Sequence, residues 1–274
     1  MSILNKTLLG LLLTAAVQSP VWAGNWDKYV AIYNRFYLLD QQPIGSVTCS
    51  VDVPELDKWM QVVRAQAAQI DGSLVVSDTL SNYKITYSPA KGLTINDPAL
   101  TITSLSDSSS DNKGKLSQTI IHTNETAFAT LVRELDSGLR SLFMALQAPK
   151  PGNIDIYYLD ESHGVYTVSY GLGGAQVTAI FNPDSTEMKV SAGTSVQKIH
   201  LTYDKMPDGK LLLIGSDDEQ KGPFGTSSIT DTMKYQMLAN VGFPAQLVAH
   251  IKLTGIDTEQ TSQLTITINS CKLH

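Results

Sequence analysis

From Ile154 to the end, turn residues interrupt this chain about every ten residues, which leaves no room for helices between strands. Parallel strands need crossover connections of a dozen residues or more, so the second half must form an antiparallel meander. The joints are Asp160-Glu161-Ser162-His163-Gly164, Asn182-Pro183-Asp184, Pro207-Asp208-Gly209 and Gly222-Pro223, all residues that adopt tight turns at low cost. Between them the expected strands are residues 154–159, 164–170, 176–181, 187–191, 197–203, 210–215, 227–239, 246–253 and 262–269. Asp217-Asp218-Glu219 reads as an acidic loop tip, and Gly171-Leu172-Gly173-Gly174 as a hairpin turn, since no helix follows it to make a phosphate loop.

The first half mixes periods. Trp26, Val30, Tyr33 and Tyr37 recur at helical spacing, and this helix should end before Pro43. A second helix is expected over residues 54–70, with Asp52 and Glu55 as a capping pair, Pro54 at its first position and Asp71-Gly72 as its stop. A third, over residues 125–147, carries the apolar face Phe128, Leu131, Val132, Leu135, Leu139, Leu142, Phe143 and Leu146. Strands are expected at 44–51, 74–77, 83–87, 93–95, 100–105 and 116–122, with a polar tip at 106–114. The implied fold is α+β: a strongly curved antiparallel half-barrel of about ten or more strands, its concave face covered by three amphipathic helices. Residues 24–274 are read as one domain; two helix-then-strands halves divided near residue 124 are the alternative.

Lys6, the apolar run from Leu8 to Val17 and the small-residue end Val21-Trp22-Ala23 have the order of a cleavable secretory leader, residues 1–23. The run is about half the length of a membrane span, and no later stretch is long enough, so the mature chain is not expected to cross a bilayer. The expected location is the periplasm of a Gram-negative-type bacterium, or the exterior. There, Cys49 and Cys271 are expected to form a disulfide and bring the chain ends together. The formal net charge of −6 becomes one unit more negative once Lys6 leaves with the leader, and no Lys/Arg cluster offers a nucleic-acid footprint.

Motifs for chemistry are sparse. His122, His163, His200, His250 and His274 have no second histidine at metal-binding spacing, so neither a metal nor another cofactor is expected. There is no nucleophile elbow, P-loop or redox pair, and no catalytic residue is assigned. The remaining candidate is apolar surface. Trp59, Phe128, Leu135, Leu139 and Phe143 would line a cavity for a hydrophobic ligand, if they are not simply core.

Met233-Lys234-Tyr235-Gln236, followed by Gly242-Phe243-Pro244 leading into Gln246–Leu253, resembles the strand, Gly-x-Pro corner and strand near the C-terminus of the LolA/RseB-like periplasmic lipoprotein-carrier superfamily. That resemblance covers a small part of the chain and implies a half-barrel and a hydrophobic ligand. The functional expectation is a non-catalytic carrier of a lipid, lipoprotein or other apolar group. An envelope protein that docks a protein partner is the alternative, and a hydrolase the third.

Overall fold

A computed structural model describes residues 23–70, 74–104, 112–149, 154–172, 174–222, 225–255 and 259–274. The predicted leader lies outside these residues except for Ala23, as does most of the polar tip at 106–114. The helices are α1 (Ala23–Tyr33), α2 (Pro54–Ile70) and α3 (Asn112–Ala145). The strands of the first half are β1 (Val47–Asp52), β2 (Leu74–Asp78), β3 (Lys84–Ser88), β4 (Gly92–Asn96) and β5 (Leu100–Ser104). Those of the second half are β6 (Asp155–Ser162), β7 (Val165–Leu172), β8 (Ala175–Phe181), β9 (Ser185–Ala192), β10 (Ser195–Lys205), β11 (Leu211–Gly222), β12 (Gly225–Leu238), β13 (Val241–Thr254) and β14 (Glu259–Leu273). Twelve strands form one antiparallel sheet in the order β4-β3-β1-β14-β13-β12-β11-β10-β9-β8-β7-β6, and β2 pairs with β5 alone. The sheet does not close into a barrel: β4 and β6 are its two edges.

The predicted meander is present from β6 onward, and its turns work as the residue types require. His163 and Gly164, at φ 53° and 79°, make the two-residue β6–β7 hairpin. Ala239 and Asn240 do the same between β12 and β13, at 49° and 67°; positive φ at both central residues is what matches such a turn to the twist of its strands.

Several sequence expectations change. Residues 116–122 are not a strand but part of α3, because the apolar stripe of that helix continues backward through Ile121 and no breaker interrupts it. The first helix stops at Tyr33, so Tyr37 lies beyond it, before a short 3-10 turn at Leu39–Gln41. The capping pair is replaced: Val53 O accepts the first backbone bonds of α2, and Glu55 Oε2 accepts the Thr265 backbone N–H at 3.1 Å. Asp217-Asp218-Glu219 is no loop: all three lie within β11, which runs on to Gly222.

The chain divides into two compact units. The first takes Met1–Pro43 with Phe143–Leu264, and its core is aromatic. Tyr29, Ile32 and Phe36 meet Ile156, Val168, Tyr170, Val177, Ala179 and Phe181 from β6–β8. The Tyr29 hydroxyl lies 3.1 Å from that of Tyr33, and both rings join an edge-and-tilt cluster with Phe36, Tyr170 and Phe181. After α1 the chain is tied down by backbone bonds: Leu211 N–H to Arg35 O and Tyr37 N–H to Leu211 O, both 2.8 Å. The buried Tyr37 hydroxyl donates to Gly242 O at 3.1 Å. Tyr37→Phe keeps the ring and strands that carbonyl, so a loss of about 1 kcal/mol is expected in urea unfolding; no loss would mean the carbonyl finds another donor. Gly242-Phe243-Pro244 is not a corner but the buried start of β13. Pro244 is accommodated in this central strand because the register with β12 shifts beside it, between Lys234 and Tyr235.

The second unit takes Ile44–Leu142 with Thr265–His274. Here β1 lies between β3 and the end of β14, and the Cys49–Cys271 disulfide crosses from β1 to β14 at a shift in their register. Val63 and Ala67 of α2 pack with Leu74 of β2 and Ile102 of β5, and Glu125 of α3 accepts the Ile102 backbone N–H at 3.1 Å. The Tyr83 hydroxyl donates to Asp136 of α3 at 2.8 Å in a buried bond.

Candidate functional site

The five residues expected to line a cavity fall in both units. Trp59 and Phe128 meet in the second, ring centroids 5.9 Å apart, and Leu135 and Leu139 are buried there. Phe143 belongs to the first unit, fully buried, with its ring 5.6 Å from that of Phe243. Of the five, only Trp59 keeps partial exposure. Among the described residues, two solvent-open clefts include none of the five. A cleft of about 250 Å³ in the second unit is lined by Asp52, Leu56, Asp57 and Tyr83, among others. A cleft of about 320 Å³ in the first is bordered by Arg35, Lys205, Asp208 and Lys210. Among the described residues no group of three or more His, Cys, Asp or Glu could hold a metal ion, and no helix is long and apolar enough to cross a membrane.

A different surface emerges from the register of the first unit. Residues directly opposite in adjacent antiparallel strands share a face, as do residues two apart along one strand. Ile199 of β10 faces Asp218 of β11, which faces Ile229 of β12, which faces Ile251 of β13. One step along, Leu201, Ser216, Asp231 and Ala249 form a second row, and Met233 and Leu247 extend it. The same face continues through Met188 and Val190 of β9 into the aromatic core under α1. The reverse face carries Lys198, His200, Asp217, Thr230, His250 and Lys252, a solvated polar set. This is the alternation of a sheet built to be wet on one side only.

Coverage of the apolar side is uneven. At β6–β8 most of its residues, among them Ile156, Val168, Tyr170, Val177, Ala179 and Phe181, are buried, whereas Ile199, Leu201, Ile229, Met233, Ile251 and Leu253 stay half-buried. Two carboxylates stand in that half-covered area. Asp218 is only 5% exposed; its Oδ2 accepts the Gln197 side-chain amide at 2.7 Å, and its Oδ1 is buried with no hydrogen-bond partner. Asp231 accepts the Ser216 hydroxyl at 3.1 Å. Burial pushes the Asp218 carboxyl up to about 6, with the Gln197 bond opposing and the nearby Asp231 charge adding to it. Asp231 is likewise raised to about 6 by burial, against the Ser216 bond. Close approach of β11 and β12 here depends on Gly215, where a Cβ would stand 2.8 Å from the Asp231 carbonyl oxygen.

Neither a family model nor a curated protein nor a solved structure matches this chain. The site therefore stands on its own geometry. Sequence reasoning missed it because three consecutive acids look like a loop tip. Alternation read from Leu211 and Leu213 would bury Asp217, but the pattern slips by one where the β10–β11 register shifts, with Gly215 and Ser216 both buried, so Asp218 turns inward and Asp217 outward.

Proposed function

We propose that this protein is a non-catalytic binding protein of the cell envelope, exported by residues 1–23, and that it holds an apolar chain against the open side of β10–β13. The observation that carries the reading is the half-covered aliphatic face of Ile199, Leu201, Ile229, Met233, Ile251 and Leu253, backed by a polar reverse face. A disulfide-bonded chain suits an oxidising compartment. The reading keeps the hydrophobic ligand implied by the likeness to lipoprotein carriers, and moves it. The ligand lies on the sheet, whereas Phe128, Leu135, Leu139 and Phe143 serve as core.

A neutral fluorescent probe such as N-phenyl-1-naphthylamine tests this on the full mature chain. Binding should brighten the probe, and Ile229→Ser with Ile251→Ser should weaken it about tenfold, since two partly buried aliphatic side chains contribute on the order of 1–2 kcal/mol to the contact. Lys198→Ser on the reverse face should leave it unchanged. A probe that stays dark, or binds equally to the double variant, defeats the reading.

Docking of a protein partner is favoured by one separate observation. The edge strand β6 carries Tyr157 and Tyr158, 57% and 48% exposed, at a shift in its register with β7. Strand addition there would place both rings against the incoming chain. A photo-cross-linking residue at Tyr157 should then capture an envelope protein that the same residue at Thr230 does not.

A further inference from the structure

We propose that the open face of β10–β13 takes a long-chain amphiphile with a primary ammonium head, the head bonded to Asp218 Oδ1 and flanked by Asp231, its chain lying along Ile199, Ile229 and Ile251. This rests on the reading of that face as an apolar-chain site and names the class of ligand.

The chemistry follows from where the carboxylates stand. A carboxylate set in an aliphatic face costs stability unless it is paired or hydrogen-bonded. Asp218 meets that condition at one oxygen only: Oδ2 has the Gln197 amide, while Oδ1 is buried with no partner. An ionised carboxylate is acceptor-only, so what Oδ1 lacks is an N–H or O–H donor. Across the sheet, Asp231 lies one residue pair along, so the two acids present negative charge on the same face. Around the two acids, none of the positions on this face (197, 199, 201, 216, 218, 220, 227, 229, 231, 233, 247, 249, 251 and 253) is Lys, Arg or His, and Lys205, which shares the face on β10, stands at the far end of that strand opposite Leu211. A cationic donor must therefore come from the ligand. An anionic head would meet two like charges, and a neutral head would leave the charge of Asp218 uncompensated. A calcium ion takes six to eight oxygens, and the two acids here supply too few of them. The aliphatic residues beside the acids ask for a hydrocarbon attached to the cation.

The test is competition against the neutral fluorescent probe, on mature protein, with dodecylammonium, dodecyltrimethylammonium, dodecyl sulfate and a nonionic dodecyl ether, all below their micellar concentrations. Dodecylammonium should displace the probe at about tenfold lower concentration than the nonionic ether, and the trimethyl compound, with no N–H, should fall between them. Asp218→Asn, which keeps the shape, should erase the preference while leaving the nonionic ether unchanged. Asp231→Asn should reduce it by less, which guards against a fault peculiar to one variant. Equal displacement by all four compounds, or preference for the sulfate, overturns the ammonium head and leaves the apolar site standing. If none displaces the probe, or the probe itself does not bind, both readings fall. Stronger competition by a short Leu-Lys-Leu peptide than by dodecylammonium would overturn the long-chain class in favour of a basic polypeptide segment.

Discussion

Removing the Cys49–Cys271 bridge, as the double variant Cys49→Ser, Cys271→Ser, is expected to lower stability by about 2–5 kcal/mol. The two cysteines lie 222 residues apart, so the bond forbids the unfolded chain most of its end-to-end freedom. Chain-entropy reasoning puts the effect of so long a loop near 5 kcal/mol, and residual structure in the unfolded state brings it down. The native side of the balance points the same way. Strand β1 is six residues long, and its place between β3 and β14 holds the second unit's sheet together. Cys49 is fully buried, so two hydroxyls there replace a buried sulfur bridge by polar groups in an apolar site. Urea unfolding should show a lower midpoint and a steeper slope, because the open chain exposes more surface. Hydrogen exchange should locate the loss, with β1 amides released before those of β7 and β8. A loss under about 1 kcal/mol would show that the two strands hold without the bond.

Much of this architecture was legible because local signals dominate it. Pro54 opens α2 at its first position, and every expected strand of the meander is present, although β11 runs seven residues past its expected end, β13 starts five residues early and β14 extends beyond both expected ends. The bridge follows from two cysteines in a chain expected to be exported. One kind of failure comes from competing signals of similar strength. Thr119-Ile120-Ile121 is β-branched enough to read as strand, yet Ile121 lies on the helical stripe of α3 and packs beside the α2 core, and tertiary burial decides such cases. The Asp217-Asp218-Glu219 run failed differently. Composition alone cannot place an acid inside a sheet, because placing it there costs stability, and only the pairing of β10, β11 and β12 reveals that Asp218 lies between Ile199 and Ile229. The apolar residues chosen for a ligand were the most hydrophobic, and those are the ones a core absorbs first. The half-buried residues of β10–β13 are less conspicuous one at a time and form a face only through long-range register.

The buried acids carry the second large prediction: the protein should be more stable near pH 4.5 than at pH 8, against the usual trend for carboxylates. Asp218 and Asp231 are raised to about 6, and Asp136, by burial and its bond with Asp97, to about 7, against about 3.9 in the unfolded chain. The folded state therefore holds more protons than the unfolded state between about pH 4 and 7, so stability falls as pH rises through that window. Below the unfolded value both states are protonated and this contribution is fully present. Above about pH 8 both are ionised and it is gone. Exposed Glu219, lowered by Lys221, works in the opposite sense, but at the surface, where such pairs contribute little. After discounting for solvent and relaxation, the three acids together should contribute about 2–4 kcal/mol, or roughly 5–15 °C in Tm for a chain of this length. Asp218→Asn and Asp136→Asn should each raise the Tm at pH 8 by a few degrees and flatten its pH dependence, since an amide has no proton to lose. In Asp136→Asn the amide oxygen can still accept from the Tyr83 hydroxyl, so that variant isolates the charge from the bond. A Tm that climbs steadily from pH 4.5 to 8 would show these carboxyls to be hydrated. It would also remove the reason to expect a cation at Asp218, because an acid already satisfied by water gains little from an ammonium.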